Sequence, residues 1–207
     1  MSKVFQVPIQ VIPLPLSTYS MQALKKADSY DWILFSSTNA VELFVRKFLN
    51  RKICLPYRPQ IGAVGPSTAQ VLKKVGFKVH IIPKKHTVEH LVRSLPSISD
   101  KRILFPRSIL AAHDAVRTLR ARGARVRTIS LYTTKVRPIA LSEITALTLG
   151  KYSVLAFRSP SAIEGFLKQL TRAQRTQVYE IPAQCIGPTT ASGARNAGFR
   201  KVTDMSV

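Results

Sequence analysis

The stretch IGAVGPSTAQVLKKVGFKV, residues 61–79, returns near the end of the chain as AQCIGPTTASGARNAGFRK, residues 183–201. Six identities join the two copies without a gap, all at the offset of 122 that separates Gly65 from Gly187. The matching pairs are Gly65 and Gly187, Pro66 and Pro188, Thr68 and Thr190, Ala69 and Ala191, Gly76 and Gly198, and Phe77 and Phe199. This pattern indicates a duplicated structural unit.

A second block repeats at the same offset, YDWILFSSTNAVELF at 30–44 and YSVLAFRSPSAIEGF at 152–166. Its identical pairs are Tyr30 and Tyr152, Phe35 and Phe157, Ser37 and Ser159, Ala40 and Ala162, Glu42 and Glu164, and Phe44 and Phe166. Unrelated strand–helix units share a hydrophobic pattern, but that pattern does not predict a gap-free spacing. One long period predicts two similar units, because a solenoid needs at least three short repeats.

Each unit alternates short apolar runs with helical patterns, which is typical of parallel sheets covered by helices on both faces. In the first unit we expect strands at 32–37, 61–64, 78–82, 102–105 and 126–132, and helices at 39–50, 66–75, 87–95 and 110–121. In the second we expect strands at 153–157, 183–186 and 200–203, and helices at 160–170 and 189–197.

The predicted strands are unevenly divided, with five in the first unit and three in the second. The alternation of residues 4–12 predicts an N-terminal strand that joins the second unit. The fold class expected is therefore α/β, with two similar flavodoxin-like lobes and a cleft between them. A complete lobe, 15–138, is inserted into a split, incomplete lobe formed by 1–14 and 139–207.

The charge is strongly unbalanced, because 32 Lys and Arg face 10 Asp and Glu, a net charge of +22. Such a field attracts nucleic acid, a polyphosphate or a small polycarboxylate. The densest basic segment, 101–137, holds ten Lys and Arg with Asp114 as its acidic residue. Its aromatic residues are Phe105 and Tyr132, which do not favour a base-stacking surface.

Apolar runs fall short of the roughly 20 residues of a membrane span, and the Pro-rich start does not resemble a signal peptide. We therefore expect a cytoplasmic protein without a membrane partner. Cys54 and Cys185 lie in apolar surroundings without a CxxC motif, which predicts buried reduced thiols. His86 and His90 belong to HTVEH, which is not the HExxH of zinc enzymes, so no metal is predicted.

Polar turns follow four predicted strands, where an open α/β sheet binds its ligands. A helix N-terminus attracts anions, and glycine lets a ligand approach the backbone. Ordinary helix capping is the alternative for any one of these residues, so the functional interpretation depends on the duplication of all four turns. The candidate substrate-binding residues are Ser37, Gly65, Ser67, Thr68, Ser159, Gly187, Thr189 and Thr190.

Two further candidates lie at strand ends of the first unit: Arg107 follows the predicted strand 102–105, and Tyr132 ends the predicted strand 126–132. Arg107 places a guanidinium that could bind a carboxylate through two hydrogen bonds. Tyr132 could transfer a proton, with aromatic packing as the alternative. GxSxG, Walker and GxGxxG motifs are absent and carboxylates are few, so an enzyme would position a reactive substrate.

Together these pieces resemble the uroporphyrinogen-III synthase family. They are DWILFSSTNAVELF, IGAVGPSTAQVLKKVGFKV, KRILFPRS, LRARGARVRTISLYTT, FRSPSAIEGF and CIGPTTASGARNAGF. The resemblance implies two α/β lobes joined by a two-stranded linker and an enzyme without cofactor. Such an enzyme closes the linear tetrapyrrole hydroxymethylbilane, with loss of water and inversion of the last ring.

The resemblance also implies residue roles. Tyr132 matches the tyrosine of the family's Tyr-x-Thr segment and would assist departure of the hydroxyl. Backbone amides near Ser37, Gly65, Ser159 and Thr190 would hold the substrate's carboxylates. Members usually have a strand and helix before the segment that matches residues 4–12, and a helix after 200–203, so the match implies a divergent or truncated member. We expect a monomer.

The alternative is a non-enzymatic protein that has kept the fold and binds anions or nucleic acid through its basic surface.

Overall fold

A computed structural model describes residues 3–49 and 59–205 of the chain. The structure divides into two compact units. The split unit comprises residues 1–10 and 134–207, and the central unit comprises residues 11–133. In the described ranges no helix is long and apolar enough to cross a membrane.

The central unit is built on a five-stranded sheet, in the order β2-β6-β5-β3-β4. The strands are β2 (Ile9–Pro13), β3 (Trp32–Phe35), β4 (Gln60–Ala63), β5 (Arg102–Ser108) and β6 (Arg125–Val136). The last four are parallel. β2 runs antiparallel to β6, since Leu14 N–H donates to the Leu131 carbonyl and Arg137 N–H to the Pro8 carbonyl, both at 2.9 Å. The chain crosses between the units within these two strands.

Helices cover both faces of this sheet. They are α1 (Thr18–Lys25), a short 3₁₀ helix (Ala27–Ser29), α2 (Thr38–Leu49), α3 (Pro66–Lys74), α4 (Val88–Ser94) and α5 (Asp114–Ala121). Along β3, Ile33 and Phe35 enter one core cluster and Trp32 and Leu34 the other. A strand buried on both faces is continuously apolar, which explains the run WILF. Burying each such side chain stabilises the fold by about 1.5–3 kcal/mol.

The split unit has a four-stranded parallel sheet in the order β1-β7-β8-β9. Its strands are β1 (Val4–Gln6), β7 (Val154–Phe157), β8 (Ala183–Cys185) and β9 (Val202–Asp204). Its helices are α6 (Leu141–Thr148), α7 (Pro160–Leu167), α8 (Arg172–Val178) and α9 (Pro188–Ala197). β1 pairs directly with β7, so residues 4–6 join this sheet as predicted and make it continuous. The rest of the expected N-terminal strand does not join it, because residues 9–13 form β2 of the central sheet.

The duplication is confirmed at the level of strand register. Ile33 pairs with Ile61 and Phe35 with Ala63 in the central unit. Their counterparts, Leu155 with Ala183 and Phe157 with Cys185, pair in the same way in the split unit. Both units end their second repeated helix at a glycine of positive φ, +88° at Gly76 and +108° at Gly198. The predicted α/β class with two similar lobes is confirmed.

The predicted strand at 78–82 is wrong, because only Ile81 forms a bridge there, to Gly62. The equivalent residues of the split unit form β9. In the split unit the Ala183 N–H donates to the Lys201 carbonyl at 2.8 Å. In the central unit the Ile61 N–H instead donates to Nδ1 of His80 at 3.0 Å. The His80 side chain thus takes the place of a backbone acceptor beside β4. The fifth strand of the central sheet is instead β2, which lies at the opposite edge, next to β6.

Other differences are local. The expected strand over residues 4–12 is interrupted at Pro8, which has no N–H for a sheet hydrogen bond. Helices α1, α6 and α8 were not predicted, and α5 begins at Asp114 after a turn rather than at residue 110. Cys185 is a buried free thiol, as predicted, and burial raises its pKa. Cys54 lies outside the described residues.

Candidate functional site

Ser37 and Tyr132 meet at the carboxyl edge of the central sheet. Ser37 follows β3, and its hydroxyl accepts a hydrogen bond from the Ala40 N–H at 3.2 Å, as a helix cap does. The same oxygen lies 2.8 Å from the Tyr132 hydroxyl, and either group can donate. The serine therefore orients the phenol although 95 residues separate them.

A β-bulge directs Tyr132 toward Ser37. Arg107 pairs with Ser130, but Ser108 pairs with Tyr132, so β6 carries one extra residue at this point. Leu131 and Tyr132 consequently both join the core cluster that contains Ile129. A bulge re-aims the side chains beyond it, and here it leaves Tyr132 only 6% exposed, with its hydroxyl on Ser37.

The Gly65 turn follows β4, the neighbour of β3. Gly65 is extended, no side chain caps α3, and Pro66 brings no N–H. The Ala69 N–H bonds to the Gly65 carbonyl at 3.0 Å, which leaves the N–H groups of Ser67 and Thr68 at the positive end of the helix. The Thr68 side chain is buried and Ser67 is exposed.

His86 lies against this turn, a position that sequence reasoning missed. A methyl group placed at Gly65 would come within 3.2 Å of His86 Cβ and 3.3 Å of His86 Cγ. The side chain is largely exposed beside the start of α3. No sequence signal indicated this contact, because the residues are far apart and His86 stood out only through its spacing to His90. His90 instead contacts Thr87 Oγ1, at 2.7 Å.

Arg107 is buried, with 4% of its surface exposed. Its Nη2 donates to the Ala112 carbonyl at 2.5 Å, while its Nη1 is buried without a hydrogen-bond partner. Burial lowers the pKa of Arg107. The guanidinium lies 5.4 Å from the ring centroid of Phe105, which belongs to the core cluster opposite that of Tyr132. A buried cation with an unused donor is stabilised by an anion.

The split unit repeats the two turns on its neighbouring strands β7 and β8. Ser159 caps α7 by accepting from the Ala162 N–H at 3.2 Å, and its hydroxyl lies 3.0 Å from that of Ser161. Gly187 begins α9 in an extended conformation, and a methyl group there would meet no atom within 4 Å. Thr190 is buried and Thr189 exposed, as their counterparts Thr68 and Ser67 are.

In each unit, therefore, the structure brings two helix N-termini to the carboxyl edge of two adjacent strands. Such an edge suits carboxylates or phosphates. Within the described residues, no hydrogen bond joins Arg107 to Ser37 or Tyr132. Groups of three potential metal ligands are likewise absent from that part of the chain.

A family profile described as uroporphyrinogen-III synthase HemD matches residues 4–204. The chain belongs to the uroporphyrinogen-III synthase family. It shares 26% identity over 200 residues with the porphyrin biosynthesis protein HemD of Ruminiclostridium josui, a match that covers 94% of this chain and 39% of that protein. The chain thus spans well under half the length of that relative.

Other family members are nearer in length. The chloroplastic uroporphyrinogen-III synthase of Oryza sativa subsp. japonica is 26% identical, and the match covers 94% of this chain and 67% of the rice protein. The uroporphyrinogen-III synthase of Synechococcus elongatus is 27% identical, and the match covers 91% of this chain and 75% of the cyanobacterial protein. Residues 4–204 thus carry the family likeness at low identity.

Solved structures of uroporphyrinogen-III synthases share the fold. A mutant enzyme from Thermus thermophilus superimposes with a TM-score of 0.66 at 19% identity, covering 96% of this chain and 81% of that one. The Helicobacter pylori enzyme gives a TM-score of 0.64 at 19% identity, and the match covers 100% of this chain and 94% of that one. The fold is therefore conserved where most side chains have changed.

Proposed function

We propose that this chain is a uroporphyrinogen-III synthase, which closes hydroxymethylbilane into uroporphyrinogen III with loss of water and inversion of the last pyrrole ring. The observation that carries the proposal is the Ser37–Tyr132 hydrogen bond at the carboxyl edge of the central sheet. It occurs in a chain whose family match runs through residues 4–204.

In this proposal Tyr132 acts on the hydroxyl that leaves the substrate. Its phenol donates a hydrogen bond or a proton to the departing oxygen, and Ser37 holds the phenol in position. Carbon–oxygen cleavage then leaves an electron-poor carbon that an electron-rich pyrrole attacks. The substrate supplies both reacting partners, so the protein contributes position and orientation.

The substrate's carboxylates would bind at the four duplicated turns. The N–H groups of Ser67 and Thr68 and of Thr189 and Thr190 lie at helix starts that no side chain caps. Gly187 would leave room for a carboxylate beside it, whereas His86 lies in the corresponding space at Gly65. Ser159 would contribute its hydroxyl and the first turn of α7.

Arg107 is a further carboxylate ligand in this proposal, because its buried Nη1 has no partner. Its Nη2 already holds the Ala112 carbonyl, so a carboxylate would share the guanidinium with its own loop. The linear tetrapyrrole is the proposed partner, and we propose a monomer. Light scattering after gel filtration would detect a dimer.

The activity is tested with freshly prepared hydroxymethylbilane, by resolving the type III product from the type I product that forms without protein. Type III product is expected, and a mixture identical to the protein-free control would refute the proposal. Tyr132→Phe should lower kcat by about 100-fold or more, the typical share of general acid catalysis. The ring still fills its place, so the melting temperature should stay close to that of the unchanged protein.

Tyr152→Phe is the matched control, since Tyr152 packs edge-on against Phe5 in the other unit and belongs to no proposed site. It should retain full turnover. An undiminished kcat in Tyr132→Phe would remove the phenol from the mechanism.

A further inference from the structure

Much of the basic segment 101–137 lies away from the proposed active site. Arg102 begins β5 and Arg125 begins β6, and the two residues are paired in register. They therefore lie at the amino edge of the central sheet, while Tyr132 and Arg107 lie toward its carboxyl edge. The seven residues of β5 separate these edges by roughly 20 Å.

A cavity of about 440 Å³ opens at this amino edge. Four arginines and two tyrosines dominate its lining, namely Arg102, Arg120, Arg125, Arg127, Tyr19 and Tyr30. The tyrosines come from outside the basic segment: Tyr19 lies on α1, and Tyr30 precedes β3. The fold thus brings two tyrosine rings from outside the segment to its arginines.

Two of the arginines contact these rings. The guanidinium carbon of Arg127 lies 3.3 Å from the ring centroid of Tyr19, and that of Arg102 lies 5.0 Å from the centroid of Tyr30. Nη1 of Arg127 is buried without a hydrogen-bond partner. Tyr19 remains 58% exposed, so one face of its ring is open to a further planar group.

The acidic residues near the cavity are already engaged. Asp100 pairs with Arg125 at 3.2 Å. Asp31 accepts the Arg102 backbone N–H at 2.7 Å and pairs with Lys101 at 3.7 Å. Among the ion pairs of residues 3–49 and 59–205, none joins Arg102, Arg120 or Arg127 to a carboxylate. Three of the arginines that line the cavity therefore form no ion pair with a carboxylate.

We propose that this cavity is a second ligand site, separate from the cyclisation site, that binds the phosphate and base of a nucleotide. Guanidinium forks bind phosphate oxygens in pairs, which assigns the phosphate to Arg102, Arg120 and Arg127. An aromatic ring stacks on any base, which assigns the base to the open face of Tyr19. The volume is in the range of small-molecule sites.

Titration calorimetry of the full chain at about 50 mM salt tests the site with AMP, pyrophosphate and a (dT)12 oligonucleotide. AMP or (dT)12 should bind. Arg127→Gln and Tyr19→Ala should each raise the Kd of the probe that binds at least tenfold. Arg172→Gln removes the same charge from the exposed start of α8 and should leave the Kd unchanged. Turnover of hydroxymethylbilane should be the same in all three variants, which separates this proposal from the proposed function.

The source of the nucleotide follows from which probe binds. AMP binding indicates a free nucleotide, and binding of (dT)12 alone indicates a single strand. The proposal is overturned if neither binds, if Arg172→Gln weakens binding as much as Arg127→Gln, or if pyrophosphate binds as tightly as AMP and Tyr19→Ala has no effect.

Discussion

At the scale of single residues, His80 decides how one edge of the central sheet ends. Its Nδ1 accepts the Ile61 N–H at 3.0 Å, and its own backbone N–H donates to the Ile61 carbonyl at 2.8 Å. Only a neutral imidazole can accept at Nδ1. The edge of the sheet is therefore linked to the protonation state of one side chain.

This link predicts a loss of stability in mild acid. Burial lowers the pKa of His80, and the positive charge of Lys78 lowers it further. The unfolded chain therefore binds the proton more readily. The stability is fully present above the unfolded-state pKa of about 6.5 and is lost as the pH falls through the folded-state pKa. His80→Gln keeps a possible acceptor that does not titrate.

Urea unfolding at about pH 7.5 and about pH 5.5 measures the effect. The unchanged protein should lose more free energy of unfolding over this interval than His80→Gln, by up to about the 0.5–1.5 kcal/mol of one hydrogen bond. His113→Gln, which removes an exposed histidine, should follow the unchanged protein. Equal losses in all three proteins would contradict a role for His80.

At the scale of elements, helix α9 has a glycine at each end for two different reasons. Gly198 ends it at φ +108°, in the left-handed region that side chains disfavour. Gly187 begins it at φ −175°, which any residue adopts, with open space around the position of a methyl group. Gly198 therefore serves the fold, and Gly187 leaves room at the helix start.

The two glycines should therefore respond differently to alanine. Gly198→Ala should lower the free energy of unfolding by about 1–2 kcal/mol, the cost of a left-handed residue with a side chain. Gly187→Ala should leave stability unchanged but raise the KM for hydroxymethylbilane several-fold, because its methyl group lies beside the N–H groups proposed to bind a carboxylate. Urea unfolding and steady-state kinetics of both variants check this. A reversed pattern would contradict the assignment.

At the scale of the whole molecule, the net charge of +22 predicts salt-sensitive turnover. A basic protein attracts a polycarboxylate over a distance that salt shortens. Between about 50 mM and about 500 mM NaCl, kcat/KM for hydroxymethylbilane should fall several-fold, while kcat at saturation changes little. Initial rates across this range provide the measurement. A salt-independent kcat/KM would show that the charge does not serve this substrate.

The sequence by itself determined the duplication, the alternation of strand and helix within the repeated blocks, and the helix starts that form the candidate site. These features are local or periodic, because apolar runs, Gly-Pro steps and capping serines act within a few residues of themselves. Ser37 and Ser159 were therefore recognisable as helix starts, and their side chains do cap the helices that follow.

Only the tertiary structure decided which side chains meet. Tyr132 reaches Ser37 through a bulge in β6, His80 replaces a backbone acceptor of β4, and Tyr19 packs on Arg127. Each contact joins residues that are distant in sequence and depends on strand register and helix packing. Periodicity does not encode these, because a change of one residue in register directs a side chain to the other face of the sheet.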